Sequence, residues 1–267
     1  MMYQLNQIPS EAKIKKHIRK IVFGSTIHCP NCKSRKVVSG VSRYWCISCR
    51  GRFSLISHTW LSNMKLGLQD FWLVLWCWVA QVPVKQTSLL SGLSIVTVRK
   101  WFEKFRSHLP QDQDVLEHLV QLDEAYFGGK DTRALFLGKQ VGTRRVAYRL
   151  IKDYPAREDA WEFLQTYVKP DTKLHTDGAS IYKKIDNWWP VEHEVDIHKK
   201  FEFEKTSEIE GLFGVLRTFI RRMYHHVTCD KLESVVLEFC MRFSHPEMFE
   251  NPQEYLKFTL RLATTRF

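Results

Sequence analysis

The sequence predicts an α/β protein whose second part folds around a mixed β-sheet, preceded by a small metal-bound knuckle and a helical region. Three observations carry that expectation. Two Cys-x-x-Cys pairs lie near the front, a helix-turn-helix spacing follows Pro83, and beyond Pro110 the chain alternates strands, helix, strand, helix, strand and a long helix. With 267 residues and 44% apolar content, the chain can bury enough surface for one large domain or two to three smaller ones.

Charge is divided unevenly along it. The formal net charge is +11, yet residues 1–110 carry 17 Lys and Arg against only Glu11, Asp70 and Glu103, while residues 111–267 carry 23 basic against 26 acidic groups. A basic half joined to a slightly acidic half implies that one part neutralises phosphates and the other needs carboxylates. The N-terminus lacks a basic start followed by an apolar stretch and a small-residue cleavage site, so a cytoplasmic protein is expected. The most apolar segment, Leu66 to Val82, is interrupted by Gln69, Asp70 and Gln81; it reads as a buried helix whose Trp72, Trp76 and Trp78 fill core volume, and no membrane partner is expected.

Residues 1–23 have helical spacing, with Lys13, Lys15, Lys16, Arg19 and Lys20 forming a basic face. Residues 24–55 contain Cys29-Pro-Asn-Cys32 and Cys46-Ile-Ser-Cys49, separated by thirteen residues with a turn at Gly40 and strand-like Tyr44-Trp45. Two thiolates three positions apart on a knuckle present both sulfurs to one point, and two knuckles complete the closed tetrahedral shell of one structural Zn²⁺. Disulfides are the competing account, disfavoured in a reducing compartment. Cys77, Cys229 and Cys240 lie in apolar or helical surroundings and read as core thiols.

Residues 60–110 contain the helix-turn-helix pattern. A short helix stops at Gly92, Ser94 caps a second one, and Val98, Trp101, Phe102 and Phe105 form its inward stripe. Its outward side is expected to show Thr97, Arg99, Lys100, Lys104 and Arg106, which suits a helix entering the major groove of DNA, although a plain helical hairpin has the same pattern. The polar run Gln111 to Asp114 reads as a linker.

In residues 115–245, Leu116 to Gly129 alternates as a strand and stops at a glycine pair. Ala134 to Lys152 supplies further strands around a turn at Gly142, and Arg157 to Val168 is an amphipathic helix. Lys173 to Asp177 is a short strand followed by a helix through Tyr182, Glu194 to His198 is another strand, and Ser207 to Tyr224 is a long helix. Residues 246–267 form a helical tail.

Asp123 and Asp177 are expected where strands give way to glycine-containing turns, the place in an open α/β sheet where side chains meet ligands. Glu210, on the long helix 33 positions after Asp177, is placed to approach the same point. Converging carboxylates repel unless divalent cations such as Mg²⁺ or Mn²⁺ take their oxygens, and two ions about 3.5–4 Å apart support phosphodiester displacement. Glu124 should face the other side of its strand and serve a supporting or structural role. Ser207 and Glu210 also fit a capping box, so Glu210 has a local alternative. His175 shares the face of Asp177 and is as well explained as a structural histidine. Lys199, Lys200, Arg217, Arg221 and Arg222 are candidates for phosphate contact or simply a solvated face, and His225 and His226 lack companion metal ligands.

Leu-Asp123-Glu-Ala-Tyr-Phe-Gly-Gly, His-Thr-Asp177-Gly and Ile-Glu210-Gly-Leu-Phe with Arg217 and Tyr224-His-His-Val resemble the three catalytic blocks of bacterial insertion-sequence transposases of the DDE type, in particular the ISXO-two-like group with its N-terminal zinc ribbon. The resemblance runs from about Cys29 to Phe243. It implies an RNase H-like catalytic domain, two Mg²⁺ (or Mn²⁺) held by Asp123, Asp177 and Glu210, and action on terminal inverted repeats and target DNA. It further implies a bacterial, nucleoid-associated protein that forms a homo-oligomer on DNA. Arg217 fills the basic position seven after the last acid; Ser207 stands where some members carry Asn, which leaves Glu210 as the better third ligand. The alternatives are a DNA-binding regulator or an inactive transposase relic, and an RNase H-like nuclease that cuts without joining.

Overall fold

The computed structural model of the chain describes residues 8–128, 132–195 and 206–262. They divide into two compact units, residues 1–110 with 247–267, and residues 111–246.

In the first unit, helix α1 (Glu11–Phe23) buries Ile14 and Ile18, four residues apart on one face, and leaves Lys13, Lys15, Lys16, Arg19 and Lys20 in solvent. Three short antiparallel strands follow, β1 (Val37–Ser39), β2 (Tyr44–Cys46) and β3 (Arg52–Phe53), forming a zinc ribbon around the buried cluster Phe23, Cys29, Cys46 and Phe53. Helix α2 (Leu68–Val79) buries Trp72 and Trp78 fully and Trp76 in part. No helix among the described residues is long and apolar enough to cross a membrane.

Helix α3 (Val84–Ser91) ends at Gly92, whose left-handed φ of 68° suits glycine. Helix α4 (Ile95–Arg106) starts behind Ser94, whose Oγ accepts a 3.1 Å hydrogen bond from the Thr97 amide. Val98, Phe102 and Phe105 are buried as the spacing requires. Arg106, expected outside, is only 4% exposed because it stands four residues after Phe102 and eight after Val98, on the same stripe. Trp101, expected inside, lies at the stripe's edge and is half-buried.

The last helix, α8 (Pro252–Thr259), belongs to this unit's core. Asn251 caps it, Tyr255 and Leu256 are buried, and the Tyr255 hydroxyl donates to the Phe105 carbonyl at 2.8 Å. Trp78 packs against Phe249 and Tyr255 with ring centroids 5.5 and 5.1 Å away.

The second unit contains five strands: β4 (Leu119–Phe127), β5 (Arg133–Gln140), β6 (Val146–Lys152), β7 (Thr172–Thr176) and β8 (Val191–Val195). Their order across the sheet is β6-β5-β4-β7-β8; β4, β5 and β6 pair antiparallel, while β7 and β8 run parallel to β4. With helix α5 (Arg157–Tyr167) connecting the antiparallel half to the parallel half, this is an RNase H-like sheet. Two short 3-10 turns, Ser180–Tyr182 and Ile185–Asn187, replace the single helix expected after Asp177. Strand β8 begins at Val191, three residues before the expected Glu194, and residues 196–198 lie outside the described residues.

One face of the sheet packs Val120, Leu122 and Phe136 against Phe163 and Leu164 of α5, and against Tyr182 and Ile185. A Cβ on Gly138 would lie 2.8 Å from Leu116 and 3.0 Å from the Phe163 ring, so the glycine admits α5 to this face. Helices α6 (Ser207–Tyr224) and α7 (Cys229–Ser244) contact β4, β5 and β6.

Candidate active site and metal centres

The sheet register brings Asp123 and Asp177 together. Parallel pairing of β4 with β7 ends at Gln121 opposite His175; Asp123 stands two residues further along β4, and Asp177 is the first residue past the end of β7. Both therefore lie at the carboxyl end of the parallel pair, where open α/β sheets bind ligands. Asp123 is not at the end of β4, as expected from the glycine pair, because antiparallel pairing with β5 extends the strand to Phe127.

Three carboxylates converge there. Ligand oxygens of Asp123, Glu124 and Asp177 all lie within 4.8 Å of one another. Asp123 Oδ1 accepts from the Glu124 amide at 2.8 Å, and Asp177 Oδ1 accepts from the Ala179 amide at 3.0 Å. Glu124 accepts a hydrogen bond from the Tyr182 hydroxyl, itself in the core cluster beneath the sheet. Burial pushes the Glu124 carboxyl up to about 7, opposed by the Tyr182 hydrogen bond and reinforced by the charges of Asp177 and Asp123. A divalent cation with oxygen ligands at about 2.1 Å holds pairs of them roughly 3–4 Å apart, so these residues fit such an ion.

Glu210 is not among the carboxylates gathered within that distance. Helix α6 has Thr206, rather than Ser207, at its N-cap, and the Thr206 hydroxyl donates to Glu210 Oε1 at 3.0 Å. The first turn is nevertheless held against the sheet. Buried Gln121 on β4 accepts the Ile209 amide through its Oε1 at 2.9 Å, satisfying a backbone donor that the helix itself leaves open. Glu208 pairs with Lys139, which is 6% exposed and also donates to the Thr143 carbonyl at 3.1 Å. Neither Gln121 nor Lys139 was singled out by sequence reasoning; the available signal was a polar residue at an inward strand position. His175 is 8% exposed with its Nε2 3.6 Å from Glu194, two residues before Asp177 and paired with Gln121.

The ribbon cysteines form a second centre. Sulfurs of Cys29, Cys32, Cys46 and Cys49 lie within 4.8 Å of one another, with Cys29 to Cys49 at 3.6 Å and Cys32 to Cys46 at 3.5 Å. A tetrahedral zinc with bonds of about 2.3 Å separates its sulfurs by about 3.8 Å, so the donor set fits. Burial raises the thiols of Cys77, to about 11, and of Cys240. That is opposite to what a nucleophile needs.

The candidate DNA contacts are unequal. Arg99 and Lys100 on α4, and Arg217, Arg221 and Arg222 on α6, project into solvent. Thr97 is half-buried, its hydroxyl 2.9 Å from Ser94 Oγ. Lys104 is half-buried over the rings of Trp101 and Trp60, at 5.1 and 5.6 Å, so part of its binding capacity is used within the protein. His225 and His226 are exposed and belong to no metal-binding cluster among the described residues. Lys199 and Lys200 lie outside the described residues.

Comparison with solved structures finds weak likenesses. The simian T-cell lymphotropic virus intasome in complex with PP2A regulatory subunit B56 gamma aligns with 13% identity and a TM-score of 0.37 over 65% of this chain and 68% of that one. The HTLV-2 integrase catalytic core domain in complex with magnesium aligns with 13% identity and a TM-score of 0.33 over 48% of this chain and 86% of that one. No curated protein matches the chain. The family comparison is direct: the segment holding the five-stranded sheet, the carboxylate cluster and helices α6 and α7 matches the ISXO2-like transposase domain. Residues 115–244 of this chain thus match the ISXO2-like transposase domain, a family of DDE-type insertion-sequence transposases.

Proposed function

We propose that the chain binds the terminal inverted repeats of a mobile DNA element and catalyses strand cleavage followed by strand transfer. The observation that carries this reading is the meeting of Asp123 and Asp177 at the carboxyl end of the parallel strands inside the transposase domain. Two Mg²⁺ or Mn²⁺ ions at this site would lower the barrier to attack on a phosphodiester and stabilise the oxygen that leaves. Asp123 and Asp177 hold the site from the sheet, and Glu210 completes it from α6, whose first turn Gln121 and the Lys139–Glu208 pair keep beside β4.

In cleavage, a water oxygen bonds to phosphorus, loses a proton to solvent, and the 3′-oxygen leaves as a hydroxyl. In joining, that 3′-hydroxyl attacks a target phosphodiester and a second 3′-oxygen is released. Four ribbon thiolates would hold one Zn²⁺, α4 would enter the major groove through Arg99 and Lys100 with Thr97 and Lys104 beside them, and Arg217 and Arg221 would hold phosphates along α6. The partners are transposon ends and target DNA, and the active form is a homo-oligomer assembled on them.

The test is strand transfer of a pre-cut transposon end into plasmid DNA with Mg²⁺. Joined product is expected. Cleavage without joining would identify a nuclease, and end binding without either step a regulator or an inactive relic.

A further inference from the structure

We propose that Glu124 is a metal ligand in its own right, so that Asp123, Glu124 and Asp177 form a three-carboxylate centre within the sheet, with Tyr182 as the residue that positions Glu124. This rests on the divalent-metal reading of the site. Consecutive strand residues project to opposite faces, and Glu124 does share its face with Val120 and Leu122. Its carboxylate nonetheless lies within 4.8 Å of both aspartates.

Glu124 is half-buried, yet among the described residues its side chain has no ion-pair partner. Its one hydrogen-bond donor is the neutral Tyr182 hydroxyl, and Tyr182 is fixed by the core at 1% exposure, in the 3-10 turn that follows Asp177. A half-buried carboxylate crowded by two others, with a neutral donor, is costly unless a cation joins the group. Tyr182 occupies one oxygen and leaves the other to face that cation, in the way that outer hydrogen bonds orient ligating carboxylates. The position needs glutamate because the side chain must return from the opposite face of the strand to reach the aspartates, while Asp123 and Asp177 approach from adjacent strands.

A purely structural role gives a different expectation. If Glu124 only anchors the Ser180–Tyr182 turn, glutamine serves as well, since its amide oxygen accepts the same hydroxyl. The experiment is a calorimetric titration of Mn²⁺ into the full-length, zinc-loaded chain without DNA, beside thermal melts of each variant. Glu124→Gln is expected to melt normally in the absence of Mn²⁺ and to bind Mn²⁺ at least about tenfold more weakly; Tyr182→Phe should weaken binding by a smaller factor. Equal Mn²⁺ affinity of Glu124→Gln and the unaltered chain, or no Mn²⁺ binding by the unaltered chain without DNA, overturns the proposal. Strand transfer reports separately: a chain that binds Mn²⁺ through Glu124 but never joins DNA defeats the transposase reading and leaves this one standing.

Discussion

Asp123 and Asp177 stand two residues beyond the last parallel pair of β4 and β7, at the carboxyl end of these strands. Asp123→Asn and Asp177→Asn should each remain folded and bind ends normally, yet lose strand transfer by about a thousandfold or more, measured in single-turnover joining assays. Glu210→Gln is expected to behave likewise. Its bond to Thr206 supplies the competing local explanation, so Thr206→Ala is the companion variant. Near-normal joining by Glu210→Gln with a lowered melting temperature would assign Glu210 to the helix end alone. Glu208 is different. It points to Lys139 and to the Gly142 amide, away from chemistry but into the anchor of α6. Glu208→Gln should keep substantial joining activity and lose about 1–3 kcal/mol of stability in a denaturant titration, because a buried ammonium is left with carbonyls alone.

Among elements, the ribbon depends most on something other than its own core. Its core is four buried residues around three strands of two or three residues, so a metal held by the four cysteines would add stability that this small core lacks. Chelation of zinc, or Cys46→Ser, should loosen residues 24–55 in hydrogen exchange and weaken end binding, while the five-stranded sheet stays protected. Metal analysis that finds no zinc in a protein binding ends normally would remove the premise. On α4 the expected contacts are Arg99 and Lys100, since Lys104 is engaged with two tryptophans and Arg106 is buried. Arg99→Ala or Lys100→Ala should weaken DNA binding and reduce the slope of log affinity against log salt by about one if only phosphate is contacted. A loss of sequence preference would mark a base contact instead. Unchanged affinity at every salt concentration takes α4 out of the interface.

For the whole molecule, the division into units does not follow chain order. The C-terminal residues return to the first unit, where Tyr255 closes an aromatic core with Trp78 and Phe105. Ending the chain at Pro246 should therefore unfold or loosen residues 60–110, seen as lost protection of α2 and α4 in hydrogen exchange, and leave the sheet of the second unit intact. Protection of α2 and α4 unchanged by the truncation would show that α8 is dispensable to that core.

Local pattern was sufficient for much of this protein. Cysteine spacing marked the ribbon ligands, Gly92 and Ser94 marked the turn and cap between α3 and α4, and the apolar period of residues 207–224 marked α6 over its full extent, because each depends on neighbours within one or two turns of chain. Asp123 and Asp177 were readable from their local motifs as well. What sequence could not settle were relations between distant segments. The carboxylate that joins the aspartates is Glu124, which strand alternation assigned to the far side, and only Tyr182, 58 residues on, shows how it is held. Gln121 and Lys139 became anchors of α6 only once pairing of the strands placed them beneath its first turn. The tail became core only when Tyr255 reached Phe105 across 150 residues. Periodicity records which face of an element is apolar; it carries no information on which distant polar group meets it there, and that meeting is set by tertiary packing.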